Sequence, residues 1–387
     1  MANSALVVVG SDEPRPFMRG ILVQSLVSRG VPFDVALETA NEIRGRLANQ
    51  EEVALHDLSK LVEELLADRY DLEALPLPPA QEPPQVSGPR GTSSPFSKGV
   101  LAVSLQGAGL DPNDAYDVAR ELEVRLLREA RRSIDRVALR DLVSETIERT
   151  HGSKAAERYR VWRQALEDGR PIFLLLGGST GVGKTSIAVE VARRLEISRV
   201  IGTDSIRQIM RLMFSADLMP EIHCSTYDAY RALHLEWPVE GGDVIVGFRE
   251  QAQKIVVGVH ALLDRAVEEN VSMMVEGVNL LPGVLHLDRY RENAHVIFLV
   301  VATLDSKAYA ARFQSRAATA RERGADRYLR FMDEIRSIQD HVLAEAEQLG
   351  LPIIDNVRLD DAVLSVTRSV ISTLKKSMSD AVDEGAS

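Results

Sequence analysis

The feature that most constrains this chain is a predicted buried strand that leads directly into a phosphate-binding loop. Residues 172–176 read Ile-Phe-Leu-Leu-Leu, an apolar run typical of a buried parallel strand. The segment Gly178-x-x-x-x-Gly183-Lys184-Thr185 then fills every fixed position of the P-loop motif. Apolar residues recur at helical spacing after Thr185, so a helix is expected there. This order predicts an α/β fold built on a parallel sheet, and a flexible glycine-rich turn would explain neither the lysine nor the flanking elements.

The residue types in the loop indicate nucleotide chemistry. Glycines let successive backbone N–H groups turn toward the β- and γ-phosphates, while Lys184 supplies a positive charge and the Thr185 hydroxyl ligates Mg²⁺. The N-terminus of the following helix adds a partial positive charge. ATP and Mg²⁺ are therefore the expected cofactors, with Thr185 as the metal ligand. The predicted nucleotide-binding residues are Gly178, Ser179, Thr180, Gly181, Val182, Gly183, Lys184, Thr185 and Ser186.

Charge and cysteine content narrow the class of protein. The formal net charge of −11 over 387 residues argues against a nucleic-acid partner, because neutralising backbone phosphates needs a basic surface. Cys224 is the single cysteine, so an intrachain disulfide is excluded. The chain contains no run of eighteen apolar residues and no basic stretch before its short apolar N-terminal run. We therefore expect a cytoplasmic protein that does not bind membranes.

The first 150 residues contain an internal repeat. Residues 16–26 return 79 positions later as residues 95–105, both beginning with Pro-Phe and sharing a glycine four residues after the proline. The repeat predicts two small, mainly helical units over 1–71 and 95–150. Between them, residues 75–94 are rich in Pro, Gly and Ser, which is typical of a linker without a sheet ladder, and the predicted linker spans 72–94. The predicted helices lie near 18–29, 33–48, 55–67, 97–108, 112–129 and 135–149.

Apolar strands alternate with amphipathic helices over the rest of the chain. This pattern predicts a third domain over 151–376, with a parallel five-stranded sheet flanked by helices. The residues after it, 377–387, are expected to form a polar tail. The predicted strands are 172–176, 199–203, 271–275, 295–301 and 352–354. The predicted helices are 184–195, 205–214, 226–235, 247–269, 306–320, 326–349 and 360–376.

Two predicted strands end in a carboxylate. Asp204 follows strand 199–203, and Glu276 follows strand 271–275 and precedes Gly277, which permits close backbone approach. Parallel sheets bind ligands at the carboxyl ends of their strands. Either acid could accept the proton of the acceptor hydroxyl or hold Mg²⁺ through water, and the spacing does not settle which. The alternatives are a helix cap for Asp204 and a surface turn for Glu276.

Further polar residues are candidates for binding the acceptor and stabilising the transferred group. Arg207, one helical turn after Asp204, could clamp an anion, and His223 could line the acceptor pocket together with Gly277. The alternative for His223 is a purely structural role. Arg312 and Arg316 share one helical face and could close over the transferring phosphates as a lid. For both arginines a solvated surface position is an equal alternative.

Six segments taken together are more specific than the P-loop alone. They are residues 177–185, Gly202-Thr203-Asp204-Ser205-Ile206-Arg207, residues 223–227, Val275-Glu276-Gly277-Val278 with Leu281-Pro282-Gly283, residues 327–336 and residues 352–356. These segments resemble the 2-phosphoglycerate kinase family, in which an ATP-cone domain precedes a P-loop kinase domain. The resemblance spans most of 95–375. It implies transfer of the ATP γ-phosphoryl group to the 3-hydroxyl of 2-phosphoglycerate, giving 2,3-bisphosphoglycerate.

The resemblance to an ATP-cone is clearest at Pro95-Phe96-Ser97-Lys98-Gly99, and the repeat suggests a second copy at 16–67. The alternative is that one or both copies are helical packing or dimerisation units.

The leading hypothesis is therefore an ATP- and Mg²⁺-dependent kinase for a phosphorylated or carboxylated three-carbon acceptor, with 2-phosphoglycerate, which the resemblance implies, as the first candidate. In this hypothesis Lys184, Asp204, Glu276, Arg312 and Arg316 are the catalytic candidates. One alternative is a P-loop kinase for a sugar acid, nucleoside or nucleoside monophosphate. Another is a non-enzymatic ATP-sensing regulator. A homo-oligomer is compatible with the sequence but is not specified by it.

Overall fold

The computed structural model describes most of the chain and resolves two compact units. One comprises residues 1–84 and 124–132, and the other comprises 85–123 and 133–387. No helix in the described part of the chain is both long enough and apolar enough to cross a lipid bilayer. The described residues are 7–9, 15–28, 31–47, 50, 52–67, 83–88, 92–129, 131–233, 243–305, 309 and 330–385.

The N-terminal segment combines three helices with a small sheet. Its elements are β1 (Val7–Val9), β2 (Arg15–Pro16), α1 (Arg19–Ser28), α2 (Phe33–Arg46), β3 (Glu52–Ala54) and α3 (Leu55–Ala67). The central strand β1 runs antiparallel to β2 and parallel to β3. Leu26, Ile43 and Leu66 from the three helices form the centre of its apolar core. The three helices match the predicted ones closely, whereas the strands are too short to show an alternating apolar pattern.

The following segment has the same order of elements. They are β4 (Gln85–Ser87), β5 (Ser93–Pro95), α4 (Lys98–Gly107), α5 (Pro112–Arg128), β6 (Ser133–Asp135) and α6 (Arg136–His151). Its sheet also has the same connectivity, with a central strand β4 antiparallel to β5 and parallel to β6.

The expectation that residues 72–94 lack a sheet ladder is wrong for the residues in β4 and β5. These strands form a hairpin closed by a bond from the Gly88 amide to the Thr92 carbonyl at 2.6 Å. Pairing on both sides of β4 satisfies its backbone groups, which composition alone does not reveal.

The remainder of the second unit is a doubly wound α/β domain. Its elements are α7 (Ser153–Asp168), β7 (Ile172–Gly177), α8 (Lys184–Arg194), β8 (Arg199–Gly202), α9 (Thr203–Met213), α10 (Asp243–Glu268), β9 (Met273–Glu276), β10 (His295–Ala302), α11 (Met332–Gln348), β11 (Ile353–Asp355) and α12 (Leu359–Gly385). The five strands pair in parallel in the order β11-β10-β7-β9-β8. The predicted parallel five-stranded sheet is confirmed.

The sheet is buried at its centre. All residues of β7 and β10 are buried, as expected for strands covered on both faces. On one face, Phe173 and Leu175 of β7 belong to one core cluster with Ile255 and Val259 of α10. Because this core fixes the strands rigidly, the loops at their carboxyl ends have a stable base.

Several predicted boundaries differ from the structure. Helix α9 begins at Thr203, so β8 ends one residue earlier than predicted. The predicted helix 226–235 is a 3₁₀-helix over Thr226–Ala232 in its described part. Helix α12 continues to Gly385 instead of ending at 376, because extending an existing helix costs little even through polar residues. The predicted helix 306–320 and the start of 326–349 lie outside the described residues, apart from Tyr309.

Candidate active site

The glycine-rich loop between β7 and α8 adopts a conformation that requires its glycines. Gly178, Gly181 and Gly183 have φ values of 137°, 88° and 89°. A Cβ atom on Gly178 would lie 2.1 Å from the carbonyl oxygen of Val301 in β10. Larger residues would therefore be strained in the loop, and in this conformation successive backbone amides can form an anion cradle at the start of α8.

Lys184 and Thr185, the first two residues of α8, point to different parts of the cradle. The Lys184 ammonium is buried and donates a hydrogen bond to the carbonyl of Ser179 at 2.8 Å. The Thr185 hydroxyl donates to Oε1 of Glu276 at 2.9 Å. The positive charge therefore lies within the loop, while the hydroxyl and a carboxylate lie together beside it.

Strand register explains why Glu276 reaches Thr185. Glu276 ends β9, where it pairs with Leu176 of β7 on one side and Gly202 of β8 on the other. A Cβ atom on Gly202 would be 3.2 Å from the Glu276 carboxylate. Glu276 thus stands between the nucleotide loop and the segment that carries Asp204.

Asp204 and Arg207 form an ion pair on the first turn of α9. Nη2 of Arg207 is 2.8 Å from Oδ1 of Asp204, and Nη1 of Arg207 donates to the Cys224 carbonyl at 2.7 Å. The Asp204 side chain is 68% exposed and that of Arg207 is 15% exposed. The carboxylate is therefore presented to solvent, whereas the guanidinium is held in a fixed orientation.

His223 and Gly277, the other predicted acceptor residues, both make contacts within the fold. His223 donates from Nε2 to the Phe214 carbonyl at 2.9 Å, a bond that closes the segment after α9. Gly277 lies so close to α9 that a Cβ atom there would be 1.8 Å from Oγ1 of Thr203. Contact of either residue with the acceptor stays a prediction. Arg312 and Arg316 lie outside the described residues, and their role also stays a prediction.

Cys224 lies next to this site but is not poised as a nucleophile. Burial and the neighbouring Asp228 carboxylate raise the pKa of its thiol, an effect that the Arg211 guanidinium only partly offsets. The thiolate form is therefore disfavoured.

Sequence reasoning missed two side chains that bind the backbone of the phosphate-binding loop from outside it, and a third bond that the loop itself makes to a distant carbonyl. The Tyr309 hydroxyl donates to the Thr180 carbonyl at 2.5 Å, and Asn356 donates from Nδ2 to the Val182 carbonyl at 2.8 Å. The hydroxyl of Ser179, a predicted loop residue, donates to the carbonyl of Ile335 at 3.0 Å. No local motif identifies such anchors, because they come from distant parts of the chain.

The side-chain oxygens beside the loop fit the way in which proteins bind Mg²⁺. Within the described ranges, no cluster of three His, Cys, Asp or Glu side chains could hold a metal ion. Mg²⁺ usually keeps several waters and is bound through one or two protein oxygens plus substrate phosphates. Thr185 and Glu276, hydrogen-bonded to each other beside the loop, provide oxygens of that kind.

The parallel sheet, the P-loop after its central strand and the acids at two neighbouring strand ends define a P-loop kinase. Curated relatives agree with that class. The chain is 37% identical to the 2-phosphoglycerate kinase of Methanocaldococcus jannaschii over 73% of this chain and 89% of that protein. It is 36% identical to the enzyme of Methanothermobacter thermautotrophicus, over 76% and 95%, and 34% identical to that of Pyrococcus furiosus, over 75% and 95%. The chain belongs to the 2-phosphoglycerate kinase family.

No protein-family profile matches the chain. Solved structures of a shikimate kinase from Bacteroides thetaiotaomicron and a gluconokinase from Sinorhizobium meliloti cover 53% and 55% of the chain. The matched regions span 98% and 97% of those two proteins, with sequence identities of 16% and 13% and TM-scores of 0.28 and 0.30.

Proposed function

We propose that this protein transfers the γ-phosphoryl group of ATP to the 3-hydroxyl of 2-phosphoglycerate, giving 2,3-bisphosphoglycerate and ADP. The observation that carries the proposal is the arrangement of two polar pairs at adjacent strand ends. The Thr185–Glu276 pair adjoins the nucleotide loop, and the Asp204–Arg207 pair lies one strand further along the sheet. Family membership supports 2-phosphoglycerate as the acceptor.

The nucleotide side would act mainly by positioning and by charge. The loop amides and the N-terminus of α8 would bind the β- and γ-phosphates, with the Lys184 ammonium moving from the Ser179 carbonyl to a phosphate oxygen. When bound, Mg²⁺ would supply positive charge that offsets the negative charge of the phosphates during transfer. Thr185 would bind the ion directly and Glu276 would orient its water shell.

The acceptor side would hold both ends of a small anionic alcohol. Arg207, fixed by the Cys224 carbonyl, would bind the phosphate or carboxylate of 2-phosphoglycerate through its planar fork of donors. The exposed Asp204 carboxylate would then accept the proton of the 3-hydroxyl as that oxygen attacks the γ-phosphorus. ADP leaves as the phosphorus–oxygen bond to the β-phosphate breaks, and the phosphoryl group stays on the former hydroxyl oxygen.

The direct test is acceptor-dependent release of ADP. The purified protein should release ADP with ATP, Mg²⁺ and 2-phosphoglycerate, and far more slowly with 3-phosphoglycerate or glycerate. Turnover with a sugar acid, nucleoside or nucleoside monophosphate instead would keep the kinase class and change the acceptor. Tight nucleotide binding without any acceptor-dependent ADP release would favour the ATP-sensing alternative.

The Glu276→Gln variant is expected to need more Mg²⁺. The change removes a charge beside Thr185, so the half-saturating Mg²⁺ concentration should rise by about tenfold, while saturating Mg²⁺ restores part of the rate. A Mg²⁺ titration of ADP release measures this. Glu250 of α10, whose side chain is 42% exposed, gives the matched control, Glu250→Gln, which should behave like the wild type. An unchanged Mg²⁺ requirement in Glu276→Gln would remove this residue from the metal shell.

The Arg207→Lys variant is expected to bind the acceptor weakly. Lysine keeps the charge but lacks the planar fork that reaches Asp204, Cys224 and an acceptor anion together, so the acceptor KM should rise by about tenfold to a hundredfold. Steady-state kinetics with each substrate varied in turn should show an ATP KM close to that of the wild type. The control is Arg211→Lys, one turn further along α9 and exposed. Equal effects of the two substitutions would contradict the assigned role of Arg207.

Other elements of the proposal depend on sequence alone. They are nucleotide binding by the two N-terminal repeats, phosphate contacts by Arg312 and Arg316, a cytoplasmic location and any homo-oligomer. The domain boundaries at 71, 94, 150 and 376 likewise stay predictions.

A further inference from the structure

A fully buried glutamine on α10 makes four hydrogen bonds to the segments around the acceptor side of the site. Nε2 of Gln251 donates to the carbonyls of Glu221 and Cys224 at 2.6 and 3.2 Å. Its Oε1 accepts from the Thr226 hydroxyl at 2.9 Å and from Nδ2 of Asn279 at 3.0 Å. Each polar atom of the amide has two partners, so the orientation of the amide is fixed by its surroundings.

The partners of this amide are themselves connected to residues proposed to bind the acceptor. The Cys224 carbonyl also accepts the hydrogen bond that orients Arg207. Oδ1 of Asn279 lies 3.5 Å from the hydroxyl of Thr203, the residue immediately before Asp204. Gln251 therefore links the turn after β9, the start of α9 and the 3₁₀ segments at Pro220–His223 and Thr226–Ala232.

Core packing alone does not explain a glutamine at this position. The neighbouring positions on the buried face of α10 are apolar, including Phe248, Ala252 and Ile255. Burying an amide among them is costly unless its hydrogen bonds are satisfied, and an apolar side chain of similar size would fill the same space. The helix also has little freedom to shift, because a Cβ atom on Gly247 would lie 2.2 Å from the backbone nitrogen of Tyr230.

We propose that Gln251 is a positioning residue for the acceptor, which fixes the Cys224 carbonyl and through it the guanidinium of Arg207. The inference rests on the proposed function of the site. Gln251 does not touch the reacting atoms. It acts by keeping the α9 start, the turn after β9 and the segment around Cys224 in one arrangement, so that the acceptor anion is held with its hydroxyl beside Asp204. Small displacements of a group that positions the substrate can strongly reduce the rate of transfer.

The test is a kinetic comparison of full-length variants. Gln251→Met keeps the length of the side chain and removes its four hydrogen bonds, and it should raise the acceptor KM by about tenfold or more. The ATP KM and acceptor-independent ATP hydrolysis should stay within about twofold of the wild type. Thr226→Val removes only the hydrogen bond from the Thr226 hydroxyl to Gln251 and should raise the acceptor KM by a smaller factor. This variant keeps the test informative if Gln251→Met does not fold.

The matched control is another buried glutamine of the same domain. Gln339 on α11 bonds the backbone of Thr303 through both atoms of its amide. Gln339→Met should lower the unfolding temperature by about as much as Gln251→Met does. Its acceptor KM should stay within about twofold of the wild-type value. A folded Gln251→Met variant with a wild-type acceptor KM, or with equal increases for both substrates, would overturn the inference.

Hydrogen exchange separates failure of this inference from failure of the proposed function. If the wild type does not phosphorylate 2-phosphoglycerate, the proposed acceptor is wrong, but the positioning role is still measurable. Amides within 220–233 and 203–213 should exchange faster in Gln251→Met than in the wild type and in Gln339→Met. Unchanged exchange in these segments would overturn the positioning role whatever the acceptor.

Discussion

Replacing Lys184 with alanine is expected to reduce phosphoryl transfer by about a thousandfold, which corresponds to roughly 4 kcal/mol of transition-state stabilisation. Lys184 begins α8 and carries the only side-chain cation of the loop motif. Its ammonium already lies inside the cradle, bonded to the Ser179 carbonyl, so only a short movement would bring it to a phosphate. ADP release at saturating ATP, Mg²⁺ and 2-phosphoglycerate is the measurement.

Loss of activity in this variant must be separated from loss of fold. Lys184 is buried, so the second variant is Lys184→Met, which removes the ammonium but keeps an unbranched side chain of similar length. This variant should be as inactive as Lys184→Ala, with a thermal unfolding curve near that of the wild type. Lys254 of α10, whose side chain is 40% exposed, supplies the control Lys254→Ala, which should retain full activity. Wild-type turnover in a folded Lys184→Ala variant would exclude the P-loop from the mechanism.

Replacing Asp204 with asparagine is expected to lower kcat by about a hundredfold to ten-thousandfold, the usual contribution of a well-placed general base. Asparagine keeps the shape of the side chain but does not take a proton. Because Asp204 lies one strand away from the Thr185–Glu276 pair, the ATP KM and the Mg²⁺ requirement should change little. Steady-state kinetics and nucleotide calorimetry on the same preparation test both parts of the expectation.

The two acids are distinguished by comparing Asp204→Asn with Glu276→Gln. A rate loss that persists at saturating Mg²⁺ is expected for the first, and a raised Mg²⁺ requirement for the second. Asp217→Asn, an exposed position beyond α9, is the control and should leave both quantities unchanged. The reverse pattern in the two variants would assign the base to Glu276 and the metal shell to Asp204.

Strand order is what distinguishes the two acids in the structure. The sequence shows that both residues follow strands, and parallel strands bring such residues to one edge of the sheet. It does not show which strand lies next to β7. In the structure β9 is that neighbour and β8 is outermost, so Glu276 contacts Thr185 whereas Asp204 pairs with Arg207. Packing contacts between residues far apart in the chain decide this strand order, so it cannot be predicted from the local spacing of the residues.

Gln251 is a second residue for which the sequence indicates a feature but not the contacts that explain it. A polar residue three positions after Phe248 and four before Ile255 interrupts the apolar face of a predicted helix, which signals a satisfied buried group. The signal does not name the partners. Thr226 and Asn279 lie 25 and 28 residues away along the chain and become neighbours only when α10 packs on the 3₁₀ segment and the sheet. Tyr309 and Asn356 give no comparable signal, since each contacts the loop from more than a hundred positions away.

The sequence by itself determined the class of fold, the position of the phosphate-binding loop and the set of polar residues at the strand ends. These features depend on local rules: apolar periodicity, the backbone freedom of glycine and the fixed spacing of the P-loop. Only the tertiary structure decided which acid lies beside Thr185, which carbonyl fixes Arg207 and that residues 85–87 form a central strand. Those contacts depend on how distant segments pack against each other, because buried backbone and side-chain polar groups must find partners wherever the folded chain places them.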